Sequence, residues 1–427
     1  MKALTKISIG FLALAAVALW FTSCSSEDVA QNGGSQSDKE SLLTLTINTG
    51  KIMGSRTTNW YSDPAGADAY QNESKISEIT IGIFDGTTKN VKAIIEPTKV
   101  ADDADGATLG DNKFTYSTTD KKITAKVIAK ALSADDEVLV AVNHPGQFGS
   151  VSDEKSFNKV TESLSDALGT GTLQDNTHIP MYGTGKLVAS GANSFKADDI
   201  AVKRLLAKIS LTNLSVEFSG IYEKAEFTPI CCFLINVPEK LKFADGKDSW
   251  DMSSTLKFYS GWAKYDGTFD YSTKNDNIGT GVEFNGFLTT PDLPATTTPL
   301  KGTDVYGGSS SPSKVFFYTM PNGNDKNSTK NTKLVIAGKF KANSTAQEQM
   351  VYYPVPLNVN IAAGGSVTPG VTGEDEYKVY PNKNYICSVT IKTIGVANPN
   401  LNLDPQDATI TIKVEDWTGV SQSTIFD

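Results

Sequence analysis

The sequence predicts a mostly β chain built as two antiparallel β-sandwich domains with a few short helices. Three observations lead there. Short runs rich in Val, Ile and Thr recur along most of the chain and are broken by Gly, Pro and Asn turns, the pattern of packed antiparallel sheets. Apolar residues at helical spacing occur over one stretch only, 152–169. The length of 427 residues, even less an N-terminal leader and tether, exceeds the roughly 100–200 residues of one domain, so two are expected.

The chain starts with Lys2 and Lys6 ahead of an apolar stretch from Ile7 to Trp20. That stretch is shorter than the roughly 20 residues that span a bilayer. It runs into Phe21-Thr22-Ser23-Cys24, so residues 1–23 read as a signal peptide with a lipobox-like end. Cleavage before Cys24 leaves a cysteine whose thiol can take a diacylglycerol; the alternative is an ordinary secretory signal in which Cys24 is incidental. Ser25-Ser26-Glu27-Asp28 follows, and its acidic pair resembles the surface-export tag of Bacteroidetes lipoproteins. A Gly/Ser/Gln-rich stretch to Lys39 reads as a flexible tether.

Leu43-Thr44-Leu45-Thr46-Ile47-Asn48 alternates apolar and polar residues, the mark of a half-buried strand. Glu78 to Phe84, Lys122 to Ile128 and Glu137 to Asn143 read as further strands, with turns at Asp85-Gly86 and Pro145-Gly146. Between Ser152 and Gly169, the spacing of Phe157, Val160, Leu164 and Leu168 predicts one helix lying on a sheet, with Ser152 or Asp153 as N-cap and Gly169 at its end. The polar segment Ser190 to Asp199 is expected to divide an N-terminal domain over 57–198 from a C-terminal domain over 199–406. Strands expected in the second set are Leu205 to Val216, Phe227 to Val237, Val315 to Met320, Leu334 to Phe340, Tyr352 to Asn358, Tyr385 to Ile394 and Ala408 to Trp417. The last of these opens a C-terminal tail over 407–427.

A formal charge of -9 with no run of like charges argues against nucleic acid or anionic lipid as partner. His144 and His178 are the only histidines, each in a turn-like setting without a motif partner, so neither reads as catalytic or metal-binding. Asp102-Asp103-Ala104-Asp105-Gly106 has Ala101 at the first ligand position of a calcium loop and Asn112 where the bidentate Glu belongs, so it reads as a solvated loop. Gly183-Thr184-Gly185-Lys186 lacks the earlier Gly and the final hydroxyl residue of a phosphate cradle. Beyond Cys24, three cysteines remain; Cys231, Cys232 and Cys387 fall in apolar runs, as buried hydrophobes or with one of the pair bridged to Cys387. No cofactor, no metal and no nucleophile-base constellation can be named, so the chain does not read as an enzyme.

Arginine usage is more informative. Of 39 basic residues, only Arg56 and Arg204 are arginine. Arg204 opens the apolar run Leu205-Leu206-Ala207, where backbone pairing should protect it. Arg56 sits in Gly54-Ser55-Arg56-Thr57-Thr58, a loop of small residues of the kind that is nicked easily. An arginine-specific protease is therefore expected to cut once, between Arg56 and Thr57. The cut would detach residues 24–56 with the strand bearing Leu43, Leu45 and Ile47, leaving an unpaired slot that invites a strand from another chain. Thr409-Ile410-Thr411-Ile412-Lys413-Val414-Glu415 has the same alternation, and Trp417 to Phe426 continues towards the end of the chain. A displaced strand and a matching tail suggest head-to-tail polymerisation that does not close; the alternative is two ordinary strands of one subunit.

The residues resemble the major fimbrillins of Bacteroidales, of FimA-like and Mfa-like type. The resemblance rests on the order of Cys24, the Arg56 loop, Val138 to Asn143, Ile179-Pro180-Met181-Tyr182-Gly183, Val202 to Ile209, Phe317-Tyr318, Leu334 to Lys339, Tyr353-Pro354-Val355-Pro356-Leu357-Asn358, Asn384-Tyr385 and Val414 to Trp417. It implies two transthyretin-like sandwiches, export to the outer membrane as a lipoprotein, arginine-specific removal of the first strand at the cell surface, and assembly into a fimbrium. Carried over, Cys24 is the lipid site, Arg56 and Thr57 the processing site, and Ile410, Ile412, Val414, Trp417, Ile425 and Phe426 the inserting tail positions. Implied partners are other copies, other fimbrial subunits, the protease, and a host or bacterial receptor. A basic residue near Asn384 is Lys383 here, which says nothing about subtype. The cleavable loop with an extended tail favours a stalk or accessory subunit over an anchor or tip subunit. A surface glycan-binding lipoprotein is the alternative, with Trp60-Tyr61, Trp250, Tyr259 and Trp262 as stacking candidates.

Overall fold

Side chains alternate across a strand, so a run such as Leu43, Leu45 and Ile47 presents one apolar face that must be covered by a second sheet. The computed structural model describes residues 40–48, 73, 76–99, 108–109, 113–117, 122–171, 174–290, 293, 298–306, 315–362, 366–370, 375–402, 404 and 408–417.

The N-terminal part contains β1 (Glu40–Asn48), β2 (Glu78–Phe84), β3 (Val91–Lys99), β4 (Thr108–Leu109), β5 (Lys113–Ser117), β6 (Lys122–Lys130), β7 (Glu137–Val142), α1 (Glu154–Phe157), β8 (Thr161–Ser163), α2 (Leu164–Leu168), β9 (Met181–Lys186), β10 (Val188–Gly191), β11 (Ser194–Ala201) and β12 (Lys203–Arg204). A six-stranded sheet of order β10-β11-β1-β6-β5-β4 faces a five-stranded sheet of order β12-β9-β7-β2-β3. Between them Leu43, Leu45 and Ile47 meet Ile79, Ile81, Ile83, Val138, Val140 and Val142 in one buried cluster. The other side of the second sheet, with Phe84, Leu139 and Ala141, packs with Phe157, Leu164 and Leu168 of the short helices.

The C-terminal part contains β13 (Ala207–Val216), β14 (Glu226–Ile235), β15 (Val237–Pro238), β16 (Lys240–Lys242), β17 (Phe258–Ser260), β18 (Ala263–Tyr265), β19 (Phe269–Lys274), β20 (Val282–Phe284), β21 (Leu300–Lys301), β22 (Val315–Thr319), β23 (Lys333–Lys341), β24 (Gln349–Pro356), β25 (Val359–Ile361), β26 (Val367–Pro369), β27 (Lys383–Ile391) and β28 (Ala408–Asp416). Sheets of order β22-β13-β27-β28-β25-β26 and β21-β14-β23-β24 form the second sandwich. Ile209, Tyr385, Val389, Ile410 and Ile412 pack with Phe227, Leu334, Ile336 and Tyr353. The fold is thus mostly β and of sandwich type, as expected.

The two sandwiches share a layout. β1 lies between antiparallel β6 and parallel β11, and β13 lies between antiparallel β22 and parallel β27. Each sandwich therefore opens with a strand in the interior of its larger sheet. The parallel pairs depart from strict antiparallel pairing and need long crossovers, which the rest of each sandwich supplies.

Two local expectations are corrected. The single helix over 152–169 is two helices separated by β8, which pairs with β16. Asp153 caps α1 by accepting from the Ser156 amide at 2.7 Å. Ser163 restarts the helix by accepting from the Asp166 amide at 3.1 Å. Phe157, Leu164 and Leu168 are buried as their spacing implies, but strand pairing across the sandwiches overrides helix continuity. The expected divider, Ser190 to Asp199, is not a linker. It spans the hairpin of β10 and β11, turning through Asn193 at φ 52°. Its polarity comes from β10 being an exposed edge strand. The chain passes between the sandwiches at Leu205 and Leu206, both buried.

Candidate assembly site

β1 is held on both edges. All nine residues from Glu40 to Asn48 pair antiparallel with Lys130 to Lys122 of β6, and the other edge pairs in parallel with Ser194 to Ala201 of β11. Leu43, Leu45 and Ile47 are fully buried, whereas Leu42 on the opposite face is 45% exposed. A one-residue slip would exchange these faces, so the alternation fixes the register. Gly183 and Gly185 let β9 of the facing sheet approach β11: a Cβ at either would meet Ala201 O at 2.7 Å or Ile200 Cγ1 at 2.8 Å. The Gly183-Thr184-Gly185-Lys186 run is thus a strand with a packing role. Taking an interior strand out of such a sheet strands backbone donors and acceptors on two neighbours at once and uncovers the apolar face beneath.

β28 has the same length and alternation as β1, nine residues in each. Ile410 and Ile412 are buried while Thr411 and Lys413 are outward. The strand pairs along all of β27, from Lys383–Asp416 to Ile391–Ala408. The Ile412 amide also donates to Asn360 Oδ1 at 2.6 Å. Ile410, Ile412 and Trp417, expected to insert into a neighbour, therefore lie in the subunit's own core, and Val414 pairs with Tyr385 in the same ladder. The pattern that suits another chain's slot also suits the home sheet.

A buried polar cluster, centred on Glu73, closes the end of β28. Glu73 Oε1 accepts from Tyr318 Oη at 2.6 Å and from Lys208 Nζ at 2.7 Å, and Oε2 accepts from Trp417 Nε1 at 3.0 Å. Arg204 Nε donates to the Glu73 carbonyl at 3.0 Å and Nη1 to the Trp417 carbonyl at 2.7 Å. The Arg204 guanidinium lies 4.9 Å from the Trp417 ring centre, and Tyr318 stacks on that ring at 5.4 Å. Burial works to raise the Glu73 carboxyl, but Lys208 and Arg204, with hydrogen bonds from Lys208 and Tyr318, hold it below the usual carboxylate range. The sequence carries no periodicity that marks Glu73; the scarcity of arginine is the one signal that leads near it. Arg204 was expected to lie in a backbone-paired strand, and β12 pairs with β9 through Lys203 and Arg204, with the Leu205 amide donating to the Pro180 carbonyl at 2.8 Å. The Arg204 side chain is itself buried, 7% exposed.

Other expected positions fare differently. Cys24, Arg56, Thr57, Trp60, Tyr61, Asp102, Asp103, Asp105, Ile425 and Phe426 lie outside the described residues. Cys231, Cys232 and Cys387 are buried thiols with no bridge from the pair to Cys387. Burial pushes the Cys232 thiol up and Cys387 up to about 12. His144 Nδ1 meets the buried Glu162 carboxylate, whose pKa burial raises; His178 sits beside Asp175 at 3.5 Å. Trp250 and Trp262 are core residues, donating to Val379 O at 3.0 Å and Tyr352 Oη at 3.2 Å. Neither offers a face for a sugar. Among the described residues no group of His, Cys, Asp or Glu is arranged to hold a metal ion, and no helix is long and apolar enough to cross a membrane.

Solved structures share this architecture over most of its length. A fimbrilin from Porphyromonas gingivalis W83 matches with a TM-score of 0.55 at 17% identity, covering 90% of this chain and 99% of its own. The chain has the fimbrilin fold. A candidate cell adhesion protein from Bacteroides eggerthii DSM 20697 matches with a TM-score of 0.54 at 15% identity, covering 90% of this chain and 98% of its own. One from Parabacteroides distasonis ATCC 8503 matches with a TM-score of 0.55 at 14% identity, covering 89% and 100%. No protein-family model and no curated protein matches the sequence.

Proposed function

We propose that this chain is a structural fimbrial subunit that serves adhesion and surface colonisation. It is exported as a lipoprotein through Cys24 to the outer membrane and cut between Arg56 and Thr57 by an arginine-specific surface protease. Loss of β1, with Leu43, Leu45 and Ile47, opens a slot between β6 and β11, and the C-terminal tail of another copy fills it. The lipid is then a transit device that leaves with the strand. The observation that carries this reading is the interior position of β1, because its removal leaves two unpaired strand edges that only a donated strand satisfies. Because β28 is laddered along all of β27, we assign donation to residues 418–427, with Ile425 and Phe426 inserting. Ile410, Ile412, Val414 and Trp417 then form the root that stays at home. The test is an Arg56→Ala variant in the producing cell. The expected product is a lipidated monomer without filaments, against a wild-type surface protein that begins at Thr57. Filaments of normal length from Arg56→Ala would refute the reading.

A further inference from the structure

The Glu73 cluster joins parts of the chain that the proposed function sets in motion. Glu73 lies downstream of the Arg56 loop and ahead of β2; Trp417 directly follows β28; Arg204 is the second arginine of the chain. All three are buried, and each bonds to the other two: Glu73 Oε2 to the Trp417 indole, Arg204 to the Glu73 carbonyl, and Arg204 to the Trp417 carbonyl. We propose that Glu73 is a latch that fixes the root of the C-terminal tail to the subunit and shields Arg204 from the protease that cuts at Arg56.

This inference rests on the reading that Arg56 is cut and the tail donated. A protease needs its arginine in an extended, accessible loop, so a buried arginine is cleaved only through local opening. Backbone pairing at β12 covers two residues on β9 and is extended by the Leu205 amide to the Pro180 carbonyl at 2.8 Å and the Val202 amide to the Asn48 carbonyl at 3.1 Å. The cluster adds the Arg204 side chain to that pairing, and two of its bonds, Trp417 Nε1 to Glu73 Oε2 and Arg204 Nη1 to the Trp417 carbonyl, exist only while Trp417 is seated. The Trp417 amide adds a bond to the Asn382 carbonyl at 2.7 Å, and Tyr318 and Lys208 complete the shell around the carboxylate. Tension on the tail of an assembled subunit enters at Trp417. There it meets charge-assisted bonds before it can peel β28 from β27 one pair at a time. The latch also makes a single cut possible in a chain with two arginines, because correct folding hides one of them.

The experiment uses the full secreted chain and an arginine-specific endoprotease, comparing wild type with Glu73→Gln and Trp417→Phe. Wild type is expected to be cut at Arg56 alone. Both variants are expected to be cut after Arg204 as well, about tenfold faster or more, the range expected for one lost bond to a charged group. Hydrogen exchange is read in parallel: the last residues of β28 should lose protection while β14 and β23 keep theirs. Trp417→Phe keeps an aromatic ring and removes the N–H, so it decides the matter if Glu73→Gln fails to fold. Wild-type resistance at Arg204 maintained in both variants, with unchanged exchange in β28, overturns the latch. So does ready cleavage of wild type at Arg204. If wild type resists at Arg56, the processing reading falls, and the Arg204 comparison still judges the latch.

Discussion

Leu45→Ala should destabilise the precursor and leave the cut subunit untouched. Leu45 is fully buried against the facing sheet in the core of the first sandwich. Truncating such a side chain removes its transfer free energy and leaves a cavity, together about 3 kcal/mol. For a cooperative unit of about 150–250 residues each kcal/mol moves the melting temperature by about 2–4 °C, so a drop of about 6–12 °C is expected. The assay is calorimetric melting of two monomeric forms, both lacking residues 418–427 so that no donation occurs: the precursor, and the same protein after cleavage at Arg56 and gel filtration under native conditions, which leaves the segment free to depart or to stay. The precursor carrying Leu45→Ala should show the full drop relative to the precursor that keeps Leu45. The cut protein should melt at one temperature whichever precursor it came from, because the strand has gone. An equal drop in both forms would show that β1 stays in its sheet after cleavage and would refute strand exchange.

Removal of 418–427 should leave a folded monomer that accepts a tail but gives none, whereas removal of 407–427 should unfold the second sandwich by stripping β28 from β27; circular dichroism with filament counts separates the two. Glu73, held below its ordinary value of 4.5, contributes stability that is present above that value and lost as pH falls through its folded-state pKa. The advantage of wild type over Glu73→Gln in denaturant titrations should therefore be full at neutral pH and shrink below about pH 4.5. A peptide of residues 40–48 added in excess to cut subunits should block elongation by refilling the slot, and the same peptide with Leu45→Asp should not.

Much of the fold was legible because strand burial writes itself into alternation. Leu43, Leu45 and Ile47, Ile79 to Ile83, and Ile410 with Ile412 each declare a face, and each is buried where that face requires. The helix over 152–169 misled because Phe157, Leu164 and Leu168 keep their spacing across a break made by a remote strand, Lys240–Lys242. Ser190 to Asp199 misled because an exposed edge strand and a linker are polar for the same reason, contact with water. The role of Glu73 was not legible at all. Its partners are distant in sequence, up to 344 residues away at Trp417, and a lone Glu in a polar stretch carries no periodic mark. The tail positions divide on the same ground: alternation says that Ile410 and Ile412 are buried, but not in whose sheet.

That ambiguity is physical, and under the proposed function it is what the cut at Arg56 would resolve. β1 and a donated tail make the same kind of backbone ladder, so contacts alone do not choose between them. What chooses is tethering. In the proposed assembly β1 is joined covalently to its own sheet before the cut, and a segment on the same chain acts at an effective concentration in the range of about millimolar. A tail on another molecule at about micromolar is outcompeted by about a thousandfold, or roughly 4 kcal/mol. Under the proposed function, hydrolysis at Arg56 would remove this advantage without altering any bond in the sheet, and a lipid-bearing strand that departed into the membrane would not return by mass action. A donor would keep its own tether in the form of β28, which is laddered to β27 and bonded at Trp417 to Glu73. The asymmetry between a strand that has lost its link and one that retains it would give the proposed assembly its direction. On the same reading Glu73 would matter to the filament as the slot does, since a tail whose root can slip is no longer tied to the subunit it must carry.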